Sequence, residues 1–102
     1  MDTQEKIRQQ VSENRVVLYM KGTPDAPQCG FSAAAVQMLE ACGADEVATV
    51  NVLADADIRQ GIKQFSNWPT IPQLYVDGEF VGGADIMREM YQSGELQKLL
   101  TR

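Results

Sequence analysis

Residues 16–43 have the sequence VVLYMKGTPDAPQCGFSAAAVQMLEACG, and they predict a strand, a loop and a helix in that order. Its first five residues, Val16–Met20, are all apolar, which is typical of a buried β-strand. The eight residues that follow contain a glycine and two prolines and predict a loop. Residues 33–42 favour a helix, and Gly43 is suited to end it. Cys29 is therefore expected at the N-terminus of a helix.

A helix precedes this stretch, and a second strand and helix follow it. Asp2 and Glu5 have the spacing of a capping box for a helix that ends near Asn14. A strand is expected at residues 48–52 and a helix from about Asp55. The order strand, helix, strand, helix implies parallel pairing with right-handed crossovers. The residues expected on the inner faces of the two helices are Ile7, Val11, Ile58, Ile62 and Phe65.

The next segment predicts a β-hairpin. Residues 68–72, WPTIP, end the preceding helical pattern. Residues 73–76 and 79–81 are expected to be antiparallel strands. The dipeptide Asp77-Gly78 joins them, because it supplies the positive φ angles of a type I′ turn.

Two helices are expected after the hairpin. One opens at residues 82–85 and runs to about Gln92, and Ser93-Gly94 separates it from a short terminal helix. That last helix carries Leu96, Leu99 and Leu100. The resulting order, α-βαβα-ββαα, predicts an α/β fold with a four-stranded mixed sheet flanked by helices. The length of 102 residues predicts one domain over residues 1–102.

The composition excludes several classes of function. Nine basic against 14 acidic residues give a net charge of −5, which argues against nucleic acid as a partner. No apolar run approaches the roughly 20 residues that span a bilayer, so no membrane association is expected. The first residues lack the pattern of a signal peptide, which predicts a cytoplasmic location, with an organelle matrix as the alternative.

The chain contains two cysteines and no histidine. An ordinary structural zinc site needs four ligands, mostly Cys and His, so one chain cannot build it. Base catalysis by histidine is excluded as well. The cysteines are therefore the candidates for chemistry.

Cys29 is the candidate reactive sulfur. A helix N-terminus carries partial positive charge, and Lys21 at the end of the first strand adds a full one, so both favour the thiolate. The alternative is a buried structural cysteine, but the flanking residues predict a polar loop. Ser32 stands where a Cys-x-x-Cys motif has its second thiol, and a hydroxyl cannot complete a disulfide. Cys29 therefore needs a second thiol from outside the site.

Cys42 is expected near the far end of the same helix. A rise of 1.5 Å per residue places it roughly 20 Å from Cys29, too far for a native disulfide. We interpret it as a small apolar residue at the helix end, with a redox role as the alternative.

Four segments carry a resemblance to a known family. They are KGTP at residues 21–24, CGFS at residues 29–32, WPTIP at residues 68–72 and GGAD at residues 82–85. In this order and spacing the sequence resembles the monothiol, CGFS-type glutaredoxins over essentially its whole length. The resemblance implies a thioredoxin-like fold.

The resemblance also implies a function. Members of this family bind glutathione and a [2Fe–2S] cluster that bridges a homodimer, and they act in iron–sulfur cluster transfer and iron homeostasis. Such a cluster typically takes four thiolates, which two copies of Cys29 and two glutathione molecules would supply. Apo iron–sulfur acceptor proteins and BolA-like proteins are the implied partners. The alternative is a glutathione-dependent thiol-disulfide oxidoreductase acting on glutathionylated proteins, an electron-transport role that uses Cys29 as the catalytic nucleophile.

Cationic side chains are candidates for the glycine carboxylate of glutathione. Lys21 and Arg59 are the first of these, since a guanidinium suits a carboxylate best. Lys63 follows Arg59 by one helical turn and is a further candidate. The alternative for both helix residues is a solvated, charged surface. The resemblance favours Lys21 and Arg59.

Backbone groups are candidates for the rest of the tripeptide. The resemblance implies a cis bond between Ile71 and Pro72, which would let the backbone of Ile71 pair with the cysteine of glutathione; a trans proline is the alternative. The N–H groups of Ala84 and Asp85 are suited to the γ-glutamyl carboxylate, and the Asp85 side chain to its ammonium. Alternatively, Asp85 only caps a helix. Many family members have cysteine at the position of Ala84. Trp68 is expected to frame the site by packing.

Overall fold

The computed structural model describes residues 2–101 and contains five helices and six strands. Their bounds are α1 (Thr3–Glu13), β1 (Val16–Met20), β2 (Gly22–Thr23), β3 (Ala26–Pro27), α2 (Gly30–Ala41), β4 (Ala48–Asn51), α3 (Ala56–Ser66), β5 (Gln73–Val76), β6 (Glu79–Gly82), α4 (Ala84–Ser93) and α5 (Glu95–Thr101).

The main sheet has four strands in the order β4-β1-β5-β6. β1 runs parallel to β4 and antiparallel to β5, and β5 and β6 form a hairpin. Asp77 and Gly78 both have positive φ, 53° and 81°, as the predicted type I′ turn requires. The predicted mixed sheet and the order of its elements are confirmed.

β1 lies at the centre of the core, and all five of its residues are buried. Successive side chains of a strand point to opposite faces, so β1 joins two clusters. Leu18 packs with residues of α2, α4 and α5, including Leu39 and Leu96. Tyr19 packs on the other face with residues of α1 and α3, including Ile7 and Ile62. The fold is therefore a helix, sheet and helix sandwich, as the continuous apolar run predicted.

Polar residues flank α1 and α3 at the positions that the sequence predicted. The Asp2 carboxylate accepts the N–H of Glu5 at 2.8 Å, and Asn14 follows the last residue of α1. Asp55 caps α3 by accepting the N–H groups of Asp57 and Ile58. These contacts satisfy N–H groups that have no partner inside the helix.

Some boundaries differ from the sequence prediction. The segment expected as a plain loop contains the short antiparallel pair of β2 and β3. β4 ends at Asn51, one residue before the predicted end, and α4 extends one residue further, to Ser93. α2 is capped by Cys42, and Gly43 is the left-handed residue that follows it. Differences of one residue at an element end are expected, since helix and strand ends fray.

Membrane-spanning helices were searched for within residues 2–101. No helix there is both long and apolar enough to cross a bilayer.

Candidate functional site

Cys29 occupies the N-cap position of α2, in extended backbone geometry. Its sulfur accepts the N–H of Ser32 at 3.3 Å, which is the contact that a capping side chain makes with the first helical turn. The side chain is partly accessible to solvent. The sequence prediction of a cysteine at a helix N-terminus is confirmed, and a fully buried structural cysteine is excluded.

Ser32 lies behind the sulfur and is completely buried. Its hydroxyl oxygen accepts the backbone N–H of Lys21 at 3.0 Å and lies 3.3 Å from the Cys29 sulfur. Because Lys21 donates to the oxygen, the hydroxyl proton is available to donate to a thiolate. The thiol of Cys29 donates to the Ser32 oxygen, and once the sulfur is deprotonated the Ser32 hydroxyl is placed to donate to it instead.

The pKa of the Cys29 thiol is held below its ordinary value by its surroundings. Partial burial raises the pKa, but the hydroxyl and N–H of Ser32 and the N–H of Phe31 together outweigh it, and the positive charge of Lys21 adds to them. The thiolate is the nucleophilic and metal-binding form of cysteine. Cys29 is therefore predisposed to both kinds of chemistry.

The loop before Cys29 is held by backbone contacts. Gly22 has a φ of +91°, and a Cβ there would lie 2.5 Å from the carbonyl oxygen of Ala26. The N–H of Gly22 donates to the Asn51 side chain at 2.9 Å, and that of Gln28 donates to the Lys21 carbonyl at 2.8 Å. These contacts fix the path of the chain into Cys29.

A cleft of about 370 Å³ opens beside this cysteine. Residues 68–72 form one wall and residues 83–86 another, and Lys21, Phe31 and Lys63 complete the lining. Cys29 is not among the lining residues, but Lys21 and Phe31, which act on its sulfur, are. The sulfur therefore lies at the margin of a cleft whose volume is in the range of small-molecule sites.

The two walls of the cleft approach each other closely. The Ile71–Pro72 bond is cis, as the resemblance implied. A Cβ on Gly83 would lie 3.3 Å from the carbonyl oxygen of Pro72 and 3.4 Å from the indole nitrogen of Trp68. The glycine therefore serves the packing of the two walls. The Trp68 ring is tilted against the Phe80 ring with centroids 6.1 Å apart, so Trp68 frames the cleft as expected.

The N-terminus of α4 forms part of the second wall. Its N-cap residue is Gly83, and no side chain caps it. The alternative in which Asp85 only caps the helix is therefore wrong, because Asp85 lies within the first turn. Ala84 and Asp85 both line the cleft, with Ala84 buried and Asp85 exposed. Their N–H groups belong to the first turn, which offers donors and partial positive charge to an anion.

The cationic residues are distributed differently from the sequence expectation. Lys21 and Lys63 line the cleft. Arg59 is exposed on α3 one turn before Lys63 and is not among the described residues that line it. The spacing of the two α3 residues placed them on one face, but it could not say which turn of the helix meets the cleft. Arg59 as a partner of glutathione stays a prediction.

Cys42 does not belong to this site. It is 5% exposed at the C-terminal end of α2, and burial raises the pKa of its thiol. Both cysteines are free thiols. Within residues 2–101, no group of three or more cysteine, aspartate or glutamate side chains is placed to hold a metal ion.

These features define a class of protein. A mixed sheet with flanking helices, a cis-proline opposite a helix N-terminus and a thiolate-favouring cysteine without a second thiol describe a thioredoxin-like protein with a monothiol site. Comparison with known proteins agrees with this class. A family model described as Glutaredoxin matches residues 16–81.

Individual relatives agree with the family model. A monothiol glutaredoxin of Synechocystis, described as uncharacterized and ycf64-like, is 60% identical over 97% of this chain and 92% of its own length. The solution structure of reduced poplar apo GrxS14 is 52% identical, covers 92% of this chain and 85% of its own, and has a TM-score of 0.79. A buckwheat glutaredoxin solved with glutathione is 24% identical over 97% of this chain and 87% of its own, with a TM-score of 0.84, which shows a common fold. The chain belongs to the monothiol glutaredoxin family.

Proposed function

We propose that this protein binds glutathione in the cleft beside Cys29 and, as a homodimer, carries a [2Fe–2S] cluster for transfer to acceptor proteins. The observation that carries the proposal is a single thiolate-favouring cysteine at the margin of a charged cleft, with no other cysteine of residues 2–101 near it. On this proposal residues 1–102 act as one glutaredoxin domain.

The charges of the cleft match those of glutathione. The tripeptide has a carboxylate at its glycine end and a carboxylate with an ammonium at its γ-glutamyl end. Lys21 and Lys63 are suited to the first carboxylate, with Arg59 as a further candidate. The N–H groups of Ala84 and Asp85 are suited to the second, and the Asp85 carboxylate to the ammonium.

The backbone of Ile71 completes the proposed binding mode. Ile71 lines the cleft directly before the cis-proline. An extended peptide in the cleft would pair with the Ile71 backbone in the manner of an added strand. This contact would hold the cysteine of glutathione beside Cys29.

The donor set fits a shared cluster. Iron in [2Fe–2S] clusters is typically held by four thiolates, and each chain supplies one at Cys29. A second chain and two bound glutathione molecules would supply the other three. The lowered pKa of the Cys29 thiol favours the deprotonated form that metal ligation needs. When bound, the cluster would be the cargo, and the chain would hold it through Cys29 alone.

Anaerobic reconstitution with iron, sulfide and glutathione tests the proposal. We expect the wild-type protein to gain the visible absorption of a [2Fe–2S] cluster and Cys29→Ser to gain none. Cys42→Ser is the matched control, because it removes the other thiol at a buried site away from the cleft. If Cys29→Ser gained the same visible absorption as wild type, the proposal would be wrong.

The thiolate-favouring site also supports a second candidate, the reduction of glutathionylated proteins. The Cys29 thiolate would attack the glutathione sulfur of the mixed disulfide, releasing the protein thiolate and forming a Cys29–glutathione disulfide. A second glutathione thiolate would then attack that disulfide, releasing oxidised glutathione and restoring Cys29. Turnover comparable with that of a dithiol glutaredoxin would favour this candidate, whereas negligible turnover would favour the carrier. Ser32→Cys should increase disulfide chemistry if the missing thiol is what limits it.

The cluster face is also the proposed docking site for other proteins, namely apo acceptors and BolA-like proteins. Mixing the purified cluster-loaded protein with a BolA-like protein should alter the absorption spectrum of the cluster. An unchanged spectrum would argue against that partnership.

A further inference from the structure

Gln73 is a polar residue with no exposed surface at the start of the central strand β5. Its amide nitrogen donates to the carbonyl oxygens of Trp68 and Thr70, at 3.1 and 3.2 Å. Both donors of the amide are therefore used by a segment that forms one wall of the cleft. Gln73 does not line the cleft, so any effect it has on a ligand passes through that wall.

Tyr75 holds the oxygen end of this amide. Its hydroxyl donates to the Gln73 side-chain oxygen at 3.1 Å, while the two carbonyls, which can only accept, require the amide nitrogen to face them. Burial raises the pKa of Tyr75 to about 12, although a hydrogen bond with Ser66 lowers it in part. The hydroxyl therefore keeps its proton. The Ser66 hydroxyl oxygen in turn accepts the N–H of Trp68 at 3.1 Å. The network therefore holds Trp68 at both its N–H and its carbonyl.

The residues held by this network are themselves exposed. Trp68 is 42% exposed, and Thr70 is exposed as well. Water could hydrogen-bond this segment in other conformations, in which its carbonyl oxygens would face solvent. What a buried amide adds, and water does not, is one fixed conformation of the segment.

We propose that Gln73 is a positioning residue for glutathione: its buried amide holds residues 68–70 in the shape that the cleft needs to bind the tripeptide. This inference rests on the proposed function, in which the cleft is the glutathione site. Without the amide, the wall would occupy its binding shape for only part of the time, and the apparent affinity would fall by that fraction.

Gln73→Met tests the proposal, because it keeps a side chain of similar length and removes both donors. We expect the dissociation constant for glutathione to rise by about tenfold, as for a wall that is in its binding shape a tenth of the time. Leu96→Ala is the control, since Leu96 has no exposed surface and packs in the cluster on the opposite face of the sheet. It should lower the melting temperature and leave the dissociation constant unchanged.

Tryptophan fluorescence provides a second measurement that needs no ligand. Trp68 is the single tryptophan of the chain, so its quenching by acrylamide reports on this wall alone. We expect stronger quenching in Gln73→Met than in wild type, with Leu96→Ala resembling wild type. An unchanged dissociation constant in a folded Gln73→Met variant would overturn the proposal, as would unchanged quenching.

Failure of the proposed function has a different signature. In that case the wild-type protein itself would not bind glutathione, while the quenching difference would still decide whether Gln73 holds the wall. If Gln73→Met does not fold, Tyr75→Phe replaces it, because it removes the hydroxyl that holds the amide oxygen. A rise of about threefold in the dissociation constant would then support the proposal, because this is the free energy that one neutral hydrogen bond typically contributes. An unchanged dissociation constant would overturn it.

Discussion

The hydroxyl oxygen of Ser32 lies 3.3 Å from the sulfur of Cys29 and accepts the backbone N–H of Lys21 from its other side. One buried hydroxyl in contact with the reactive sulfur therefore joins Lys21, which follows the last residue of β1, to the first turn of α2. The residue that prevents an internal disulfide is also one that stabilises the thiolate.

Ser32→Ala should raise the pKa of the Cys29 thiol, because it removes a donor to the thiolate. A hydrogen bond to a charged group contributes about 1.5–3 kcal/mol, and partial exposure of the sulfur reduces this, so we expect alkylation by iodoacetamide at neutral pH to slow by roughly tenfold. The pH dependence of the alkylation rate measures the effect. Thr70→Ala, which removes a hydroxyl at the cleft, is the control. A pKa that is the same in Ser32→Ala and wild type would refute the role of the hydroxyl.

The lowered pKa of Cys29 predicts a pH dependence of stability. Its ordinary value of 9.0 applies to the unfolded chain, and the folded value lies below it. A group of this kind stabilises the folded state above the unfolded pKa and loses that contribution as the pH falls through the folded pKa. The free energy of unfolding of wild type, relative to Cys29→Ser, should therefore increase from neutral pH to above 9.0.

Urea unfolding under reducing conditions measures this difference across the pH range, and the groups common to both variants cancel. Cys42→Ser should show the reverse trend, since burial raises the pKa of that thiol. A difference between wild type and Cys29→Ser that shrinks as the pH rises would contradict the thiolate-stabilising site.

Lys63 is expected to bind the glycine carboxylate of glutathione at least as strongly as Arg59 does. Lys63→Met should raise the dissociation constant for glutathione by about 1.5-fold to fivefold, a range set by the roughly 0.2–1 kcal/mol of partly exposed ion pairs. The effect should diminish at high salt, because exposed charges are screened. Calorimetric titration of Lys63→Met and Arg59→Met with glutathione measures which of the two side chains contributes more to binding. Weaker binding in Arg59→Met together with unchanged binding in Lys63→Met would mean that the carboxylate lies one turn earlier on α3.

Asp85 is expected to recognise the ammonium group at the γ-glutamyl end. Asp85→Asn should weaken glutathione binding by about threefold, as expected for an exposed ion pair. For a glutathione analogue that lacks the α-amino group, Asp85→Asn and wild type should have the same dissociation constant. Glu89→Gln, an exposed change on the same helix, is the control. Equal weakening for both ligands would place the role of Asp85 elsewhere.

The sequence predicted the fold well because its strongest patterns are local. The apolar run at Val16–Met20 requires burial on both faces, and Asp77-Gly78 requires a tight turn, wherever the rest of the chain lies. The position of Cys29 before a helix was equally local, since a proline-rich loop meets an alanine-rich segment there. These patterns carry enough information to specify the order of the elements.

The parts of the site that the sequence missed depend on contacts between distant segments. The contact of Ser32 with the Lys21 backbone joins residues 11 positions apart. The sequence CGFS does not predict in which direction the Ser32 hydroxyl points. Gln73 was expected only as a strand residue, and its role depends on the path of the preceding loop. A glutamine at the start of an otherwise apolar, buried strand was the available signal, because a buried amide needs partners.

Native mass spectrometry of the protein reconstituted without air counts every component of the complex, and so it tests whether two chains and two glutathione molecules share one cluster. We predict one species with two chains, one [2Fe–2S] cluster and two glutathione molecules, and only apo protein from Cys29→Ser. A cluster held by a single chain, or a cluster-bearing dimer without glutathione, would contradict this prediction.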